Sequence, residues 1–339
     1  FETTTKRDDG IQVENHYKDA SGNLIIHKPY CVYSCETAKY GGFWGENCGK
    51  KFLEYYCDKY GETISDEDYE PDLDMRKLFV LIAHNSGYDF RFLQEHFTTI
   101  TTIEKGTGLM IAVCDFYMSR KVGKTKITKK LTFEIRDSLK MINMGLGKFG
   151  KAFNLGDIKK EILPYDLYTE ERVKEKYINI GECLSYVSEK EQDEYLENIS
   201  KWGCWYNNKK QVDILKYSGE YCKMDCFTLK AGFEKFRELC KEAIGLDTLD
   251  YVSLASMAND YLVRQGCYDD VLKIAGIPRA FIQKCIVGGR TMCAENKKHI
   301  IQDGRELADF DAVSLYPSGM ARMNGFLIGE PKIIKKFQP

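Results

Sequence analysis

The chain has 339 residues, 43% of them hydrophobic, which is enough for about two domains with cores of their own. No apolar run approaches the roughly 18 residues that a membrane helix needs, and the opening residues do not form a signal peptide. A formal net charge of −2 gives no global pull toward nucleic acid, so any such binding has to come from local patches.

Phe1-Glu2-Thr3-Thr4-Thr5 reads as a polar, β-branched strand. It opens in mid-pattern and without Met, as expected of a piece of something longer. Ala20-Ser21-Gly22 is the expected turn into a second strand from Asn23 to Ile26. The 13 cysteines are irregularly spaced, which suggests reduced thiols in an intracellular compartment. Cys31 and Cys35 are spaced C-x3-C, and Cys48 and Cys57 lie further apart. Zinc knuckles use tighter pairs, so buried thiols are expected, with structural zinc as the alternative. Gly61 to Asp74 is acidic and contains proline, and reads as a solvated loop or insertion.

Leu78 to Ala83 is a short apolar run expected to form a buried strand, delivering His84-Asn85-Ser86-Gly87-Tyr88-Asp89 into a turn and a helix. Asn85 and Asp89 then gather at one sheet edge, where ligands collect in α/β folds. Asp89 can also serve the first turn of the helix. Leu109 to Arg136 reads as a long hairpin with its tip near Val122-Gly123-Lys124. Arg120, Lys121, Lys124, Lys126, Lys129 and Lys130 give that tip a charge suited either to water or to phosphates. Asp137-Ser138-Leu139 closes the second strand. Gly145, Gly147 and Gly150 follow without the spacing of a nucleotide fingerprint.

From Thr169 to Gly245 the pattern is helical. Ser188-Glu189-Lys190-Glu191 is a capping box, and Tyr221 and Asp225, four apart, share a helix face. Apolar helical stretches follow at Tyr251 to Val263 and Ala280 to Ile286. Gly288-Gly289-Arg290 and a hairpin lead to an apolar strand of Leu307, Ala308 and Phe310, which presents Asp311 before Pro317 bends the chain. An unpaired carboxylate at the end of an apolar strand is costly as core. It makes sense as a cation ligand beside a phosphate.

Asp311-Ala312-Val313-Ser314-Leu315-Tyr316-Pro317-Ser318 resembles the first palm motif of family B DNA polymerases. Glu2, Asn85 with Asp89, and Tyr221 with Asp225 resemble, in order, that family's three exonuclease motifs. The family's first motif is Asp-x-Glu, and its aspartate would precede Phe1; the expectation is a truncated chain. Ser138-Leu139-x-x-Ile142 is similar to a motif of the protein-primed branch, the branch of virus, linear-plasmid and Polinton/Maverick-like polymerases. Gly288-Gly289 resembles the same branch's linker between exonuclease and palm, with Ile286 where the branch has tyrosine.

The resemblance implies a mixed α/β (α+β) chain: a ribonuclease H-like 3′–5′ exonuclease over residues 1–235, then the first part of a palm over 236–339. It implies Glu2, Asp89 and Asp225 as ligands of two Mg2+ or Mn2+ ions, with Tyr221 orienting the attacking water. Asp311 becomes a ligand of a second metal pair. The backbone near Ser314 and Leu315 would take the dNTP triphosphate, and Tyr316 would lie under its sugar. Thr3, His84, Asn85 and Phe92 become contacts to single-stranded DNA. Ser138 and Leu139 would meet the primer strand and a terminal protein, and Gly288 and Gly289 the template. The exonuclease lysine falls on Lys159 or Lys160. The family's second palm motif, Tyr-x-Asp-Thr-Asp, does not occur in the sequence, so these residues alone are not expected to polymerise. Two further readings compete: a self-standing 3′–5′ exonuclease with a vestigial palm segment, and a non-catalytic module that binds single-stranded DNA or a terminal protein.

Overall fold

The computed structural model describes residues 1–8, 24–64, 78–105, 108–123, 125–156, 158, 161–269, 274–286, 300, 306, 308 and 310–325. The chain is mixed α/β and divides into two compact units, Phe1–Tyr261 and Leu262–Pro339. Among the described residues no helix is long and apolar enough to cross a membrane.

In the first unit, β1 (Glu2–Asp8) pairs antiparallel with β2 (Leu24–Val32), and β3 (Phe43–Trp44) completes a three-stranded sheet. The strands of the expected opening hairpin therefore pair, while its turn at Ala20–Gly22 lies outside the described residues. Helix α1 (Cys48–Tyr60) follows. Next come β4 (Glu62–Ile64), β5 (Leu78–Ala83), the short helix α2 (Ser86–Phe90), β6 (Thr99–Lys105), β7 (Gly108–Val122) and β8 (Thr125–Asp137). These strands build a second sheet in the order β4-β8-β7-β6, with β5 running parallel to β8.

The long hairpin is β7 paired with β8, Ile111 opposite Arg136 through to Val122 opposite Thr125. Two expectations need correction. Glu62–Ile64 is a strand, not loop: its Thr-Ile pair continues the edge of β8 opposite Thr128–Lys130. β5 is only half buried, with Leu78 and Val80 40% and 41% exposed. Among the described residues it pairs with β8 alone, with Phe79 and Leu81 packed on one core and Ile82 on another.

Helix α3 (Phe149–Ala152) leads into α4 (Glu170–Glu175), α5 (Ile180–Ser185) and α6 (Gln192–Lys201). Three short strands that the helical pattern concealed, β9 (Tyr177–Asn179), β10 (Trp205–Tyr206) and β11 (Gln211–Asp213), form a small antiparallel sheet in the order β10-β11-β9. In the capping box, Ser188 Oγ donates to the Glu191 carboxylate, but α6 begins one residue later, after a 3-10 turn.

Helix α7 (Ile214–Ile244) is the spine of this unit. At 31 residues it is about 46 Å long at 1.5 Å per residue. Asp213 caps it by accepting Lys216 N–H at 3.0 Å, and Gly245 ends it in the left-handed region at φ 72°. Its first half packs with Tyr168, Tyr195 and Ile199, and its second half with Met141, Ile142, Phe149 and Met257. A separate core lies under α1, where Phe52, Leu53 and Tyr56 meet Cys114, Phe116 and Phe133 of the hairpin.

Two glycines set how close α7 comes to its neighbours. A Cβ at Gly219 would lie 2.7 Å from Tyr33 Oη and 2.9 Å from the Trp44 ring, and one at Gly232 would lie 2.3 Å from the Phe149 ring. α8 (Leu254–Arg264) begins in this unit and continues three residues past its last residue, Tyr261. In the second unit α9 (Gly276–Cys285) and α10 (Leu315–Arg322) are described. Pro317 lies in the first turn of α10, where its missing N–H costs nothing, so it does not bend the chain as expected.

Candidate active site

Glu2 reaches its place by strand register: it pairs with Cys31 on β2, and the register shifts immediately after it, between Glu2 and Thr3. Such a bulge re-aims neighbouring side chains. Glu2 is 8% exposed. Burial pushes its carboxyl well above the usual range, helped by Cys222 and by the carboxylates of Asp225 and Asp89, against the opposing Phe1 ammonium.

Asp89 lies in the first turn of α2. Its Oδ1 receives the Phe1 ammonium at 3.0 Å. Asp225 is on α7 one helical turn after Tyr221, and its Oδ1 is shut off from solvent. Glu2, Asp89 and Asp225 line one cleft of about 820 Å³, together with Thr3, His84 and Tyr165. That volume is within the range of small-molecule sites.

Tyr221 is buried and its Oη is 2.7 Å from Tyr165 Oη. Burial, then Asp225 and Tyr165, hold its phenol in the protonated form far beyond the ordinary range. Tyr165 was missed in the sequence; the available signal was its place right after Leu163-Pro164, downstream of the expected lysine. Lys159 and Lys160 themselves lie outside the described residues.

The DNA-contact candidates fall into two groups. Thr3 Oγ1 lies 2.7 Å from Tyr88 Oη and 3.2 Å from His27 Nδ1. The Phe92 ring packs on Tyr88 and Phe1, with centroids 5.2 and 5.5 Å away. Tyr88 and His27 were also missed. At the end of β5, His84 Nδ1 is 3.0 Å from Ser138 Oγ, which donates to Ala83 O at 3.1 Å. Asn85 is in the left-handed region at φ 63°, a conformation Asn tolerates better than most residues. Asp137 Oδ1 accepts the N–H of Asn85 at 2.8 Å and of Leu139 at 3.0 Å. The Ser138-Leu139 motif and the His84-Asn85 turn are thus one hydrogen-bonded unit.

The hairpin's positive charge is partly used up in the fold. Arg120 and Lys129 pair with Asp58 at 3.2 and 3.1 Å, and Lys130 with Asp115 at 3.1 Å. Lys121 and Lys126 are exposed, and Lys124 lies outside the described residues.

In the second unit Asp311 is exposed, Ser314 is left-handed at φ 51° just before α10, and Leu315 and Tyr316 are 63% and 77% exposed. The expected strand into Asp311 is not seen among the described residues: Phe310 is 91% exposed and lies in irregular chain. Gly288 and Gly289 lie outside the described residues.

The chemistry of the cleft suits a hard cation. Its donors are carboxylate oxygens from three separate elements. Among the described residues no three His, Cys, Asp or Glu side chains close around one point as a metal cage, neither here nor among the cysteines. Mg2+ differs from zinc in this respect: it is held by one or two carboxylates plus substrate phosphate and water. The donor set therefore fits an open Mg2+ or Mn2+ site. Cys31, Cys48 and Cys57 are buried and uncoupled from any disulfide, as all the described cysteines are; burial pushes Cys48 and Cys57 up to about 11.

Residues 75–338 match the family described as DNA polymerase type B, organellar and viral, and the chain belongs to that family. A DNA polymerase of Kluyveromyces lactis is 24% identical over 329 residues, covering 92% of this chain and 30% of that protein. A probable DNA polymerase of Ascobolus immersus is 24% identical over 287 residues, covering 80% of this chain and 23% of that protein. The chain thus spans less than a third of the length of both. No solved structure matches it.

Proposed function

We propose that this chain supplies the 3′–5′ proofreading exonuclease and the start of the palm to a protein-primed, template-directed DNA polymerase. Residues 1–235 are assigned to a ribonuclease H-like exonuclease and 236–339 to the palm. The observation that carries the reading is the convergence of Glu2, Asp89 and Asp225 on the cleft beside Tyr221. Membership of the polymerase family supports it independently.

Glu2, Asp89 and Asp225 would hold the Mg2+ or Mn2+ pair, which when bound stabilises charge on the phosphodiester and activates water. Tyr221, kept protonated and fixed by Tyr165, donates its proton into a hydrogen bond that orients that water. Thr3 and His84 offer donors to the frayed strand, and Phe92 offers a ring for a base to stack on. The Asn85 turn and Ser138-Leu139 brace this wall and meet primer strand or terminal protein. In the palm, Asp311 takes a metal, the amides at Ser314 and Leu315 the dNTP phosphates, and Tyr316 the sugar; Gly288 and Gly289 track the template.

The test is degradation of a 3′-labelled single strand with Mg2+ or Mn2+. It uses the chain itself, a version carrying an aspartate ahead of Phe1, and an Asp89→Ala/Asp225→Ala control. Stepwise 3′ shortening, lost in the control, is expected. DNA binding in chelator without any shortening would favour a binding module instead.

A further inference from the structure

The cleft carries a feature that phosphodiester hydrolysis does not use. Cys222 and Cys226 sit one residue beyond Tyr221 and Asp225 on α7, and Cys31 pairs across the sheet with Glu2. Directly paired residues of antiparallel strands point to the same face, so Cys31 lies on the Glu2 side. Cys226 first and Cys31 second hold the Cys222 thiol well below its ordinary pKa, which places both beside it, and Cys35 Sγ donates to Cys226 O at 3.2 Å. The close approach at Gly219, one turn before Cys222, brings α7 within reach of this sheet.

We propose that Cys222 and Cys31 form a two-electron redox site whose disulfide ties α7 to β2 beside the cleft. Helix spacing disfavours the other pair, Cys222 with Cys226. Cys222 and Cys226 are four apart on one helix, where Cβ atoms stand about 5–6 Å from each other. A disulfide needs roughly 3.5–4.5 Å. Cys31 comes from a strand and is free of the helical spacing. The geometry also sets the order of events, because Cys222 lines the cleft whereas Cys31 is 0% exposed. Hydrogen peroxide entering the cleft is attacked by Cys222 sulfur. An S–O bond forms, the O–O bond breaks, and the leaving hydroxide takes the thiol proton as water. Cys31 sulfur then attacks the sulfenic sulfur, expelling a second water as the S–S bond forms. Two thiols and one peroxide give one disulfide and two waters.

The consequence for catalysis rests on the exonuclease reading. The bond fixes the spacing between the sheet that carries Glu2 and the helix that carries Tyr221 and Asp225. A site that must shift as the strand is trimmed is then held at one separation.

The experiment treats the reduced, purified chain with limiting hydrogen peroxide, blocks remaining thiols, and maps tryptic peptides by mass spectrometry. Cleavage after Lys223 separates Cys222 from Cys226, and fragmentation distinguishes Cys31 from Cys35. A Cys31–Cys222 cross-link that dithiothreitol removes is expected, absent in Cys31→Ser. Trimming of labelled single-stranded DNA should fall severalfold in the oxidised wild type, recover on reduction, and resist peroxide in Cys31→Ser. A link between Cys222 and Cys226, or oxidation of Cys222 that stops at sulfenic or sulfinic acid, would overturn the proposal, and these readouts need no variant to fold. A Cys31–Cys222 link in a chain that trims no DNA in either state would uphold the redox site and remove the exonuclease reading.

Discussion

The carboxylate of Asp137, at the end of one strand, accepts the backbone N–H of Asn85, at the end of its parallel neighbour, over 2.8 Å. It also accepts Leu139 N–H, so one buried side chain holds both the left-handed Asn85 turn and the start of the Ser138-Leu139 motif. Asp137→Ala leaves two backbone donors in search of partners. Hydrogen bonds to charged groups contribute roughly 1.5–3 kcal/mol. The expected outcome is a loss of about 2 kcal/mol in urea unfolding, with weaker binding of single-stranded DNA. Unfolding at the wild-type urea concentration would show that the turn does not depend on Asp137.

Tyr221 tests the chemistry more directly. If its phenol orients the attacking water, Tyr221→Phe keeps the ring and its packing but removes the donor. The rate of 3′ trimming should fall on the order of a hundredfold while DNA affinity stays within about twofold. Tyr165→Phe leaves Tyr221 its hydroxyl but removes the fixing contact at 2.7 Å, so its loss of rate should be smaller. Equal losses of rate and affinity in Tyr221→Phe would mean that the residue is structural.

Much of this site was legible because strand and helix ends follow local rules. The apolar run into His84-Asn85, the hairpin flanking its glycine tip, and the i, i+4 pair on a capped helix are all local patterns, and all formed. What escaped is not local. Tyr88 and His27 matter only because the pairing of β1 with β2 puts Thr3 between them. Tyr165 matters only because its loop packs under α7. The strands β9 to β11, two or three residues each, are too short for period-2 alternation to show against helical neighbours. At the basic hairpin tip, Arg120 and Lys129 share Asp58 and Lys130 pairs with Asp115, pairings that the run of charges does not itself show.

Acid should reveal a second pairing. Arg237 Nε and Nη2 donate to Asp247 at 2.6 and 2.5 Å, and Lys241 lies 2.8 Å away. The hydrogen bonds from Arg237 hold the Asp247 carboxyl well below its ordinary value of 3.8, with help from Lys241 and Leu249 N–H. A folded-state pKa below the unfolded one means that the unfolded chain binds the proton more readily. The pairing's stabilisation is therefore complete above the ordinary carboxylate pKa and is lost as pH falls below it. Asp247→Asn should cost roughly 1–2 kcal/mol at neutral pH and flatten the decline in stability below the ordinary value. An unchanged acid limb in thermal melts would rule out Asp247 as a contributor.

Gly219→Ala sets two effects of opposite sign against each other. In the interior of a helix, alanine normally stabilises by roughly 0.5–1 kcal/mol over glycine. At this position the new Cβ would lie 2.7 Å from Tyr33 Oη and 2.9 Å from the Trp44 ring, contacts that real Cβ atoms do not make. Overpacking a filled interface costs roughly 1–3 kcal/mol, so the net effect should be destabilising by about 1–2 kcal/mol. Relief comes from the ends of the Tyr33 and Trp44 side chains or from the first half of α7 moving away from the sheet that carries Glu2, which takes Tyr221 and Asp225 with it. If the helix moves, trimming of single-stranded DNA should fall further than stability alone explains, at temperatures where circular dichroism shows the variant fully folded. A folded Gly219→Ala with wild-type trimming would mean that the two side chains give way instead of the helix, or that the spacing between α7 and Glu2 does not govern the site.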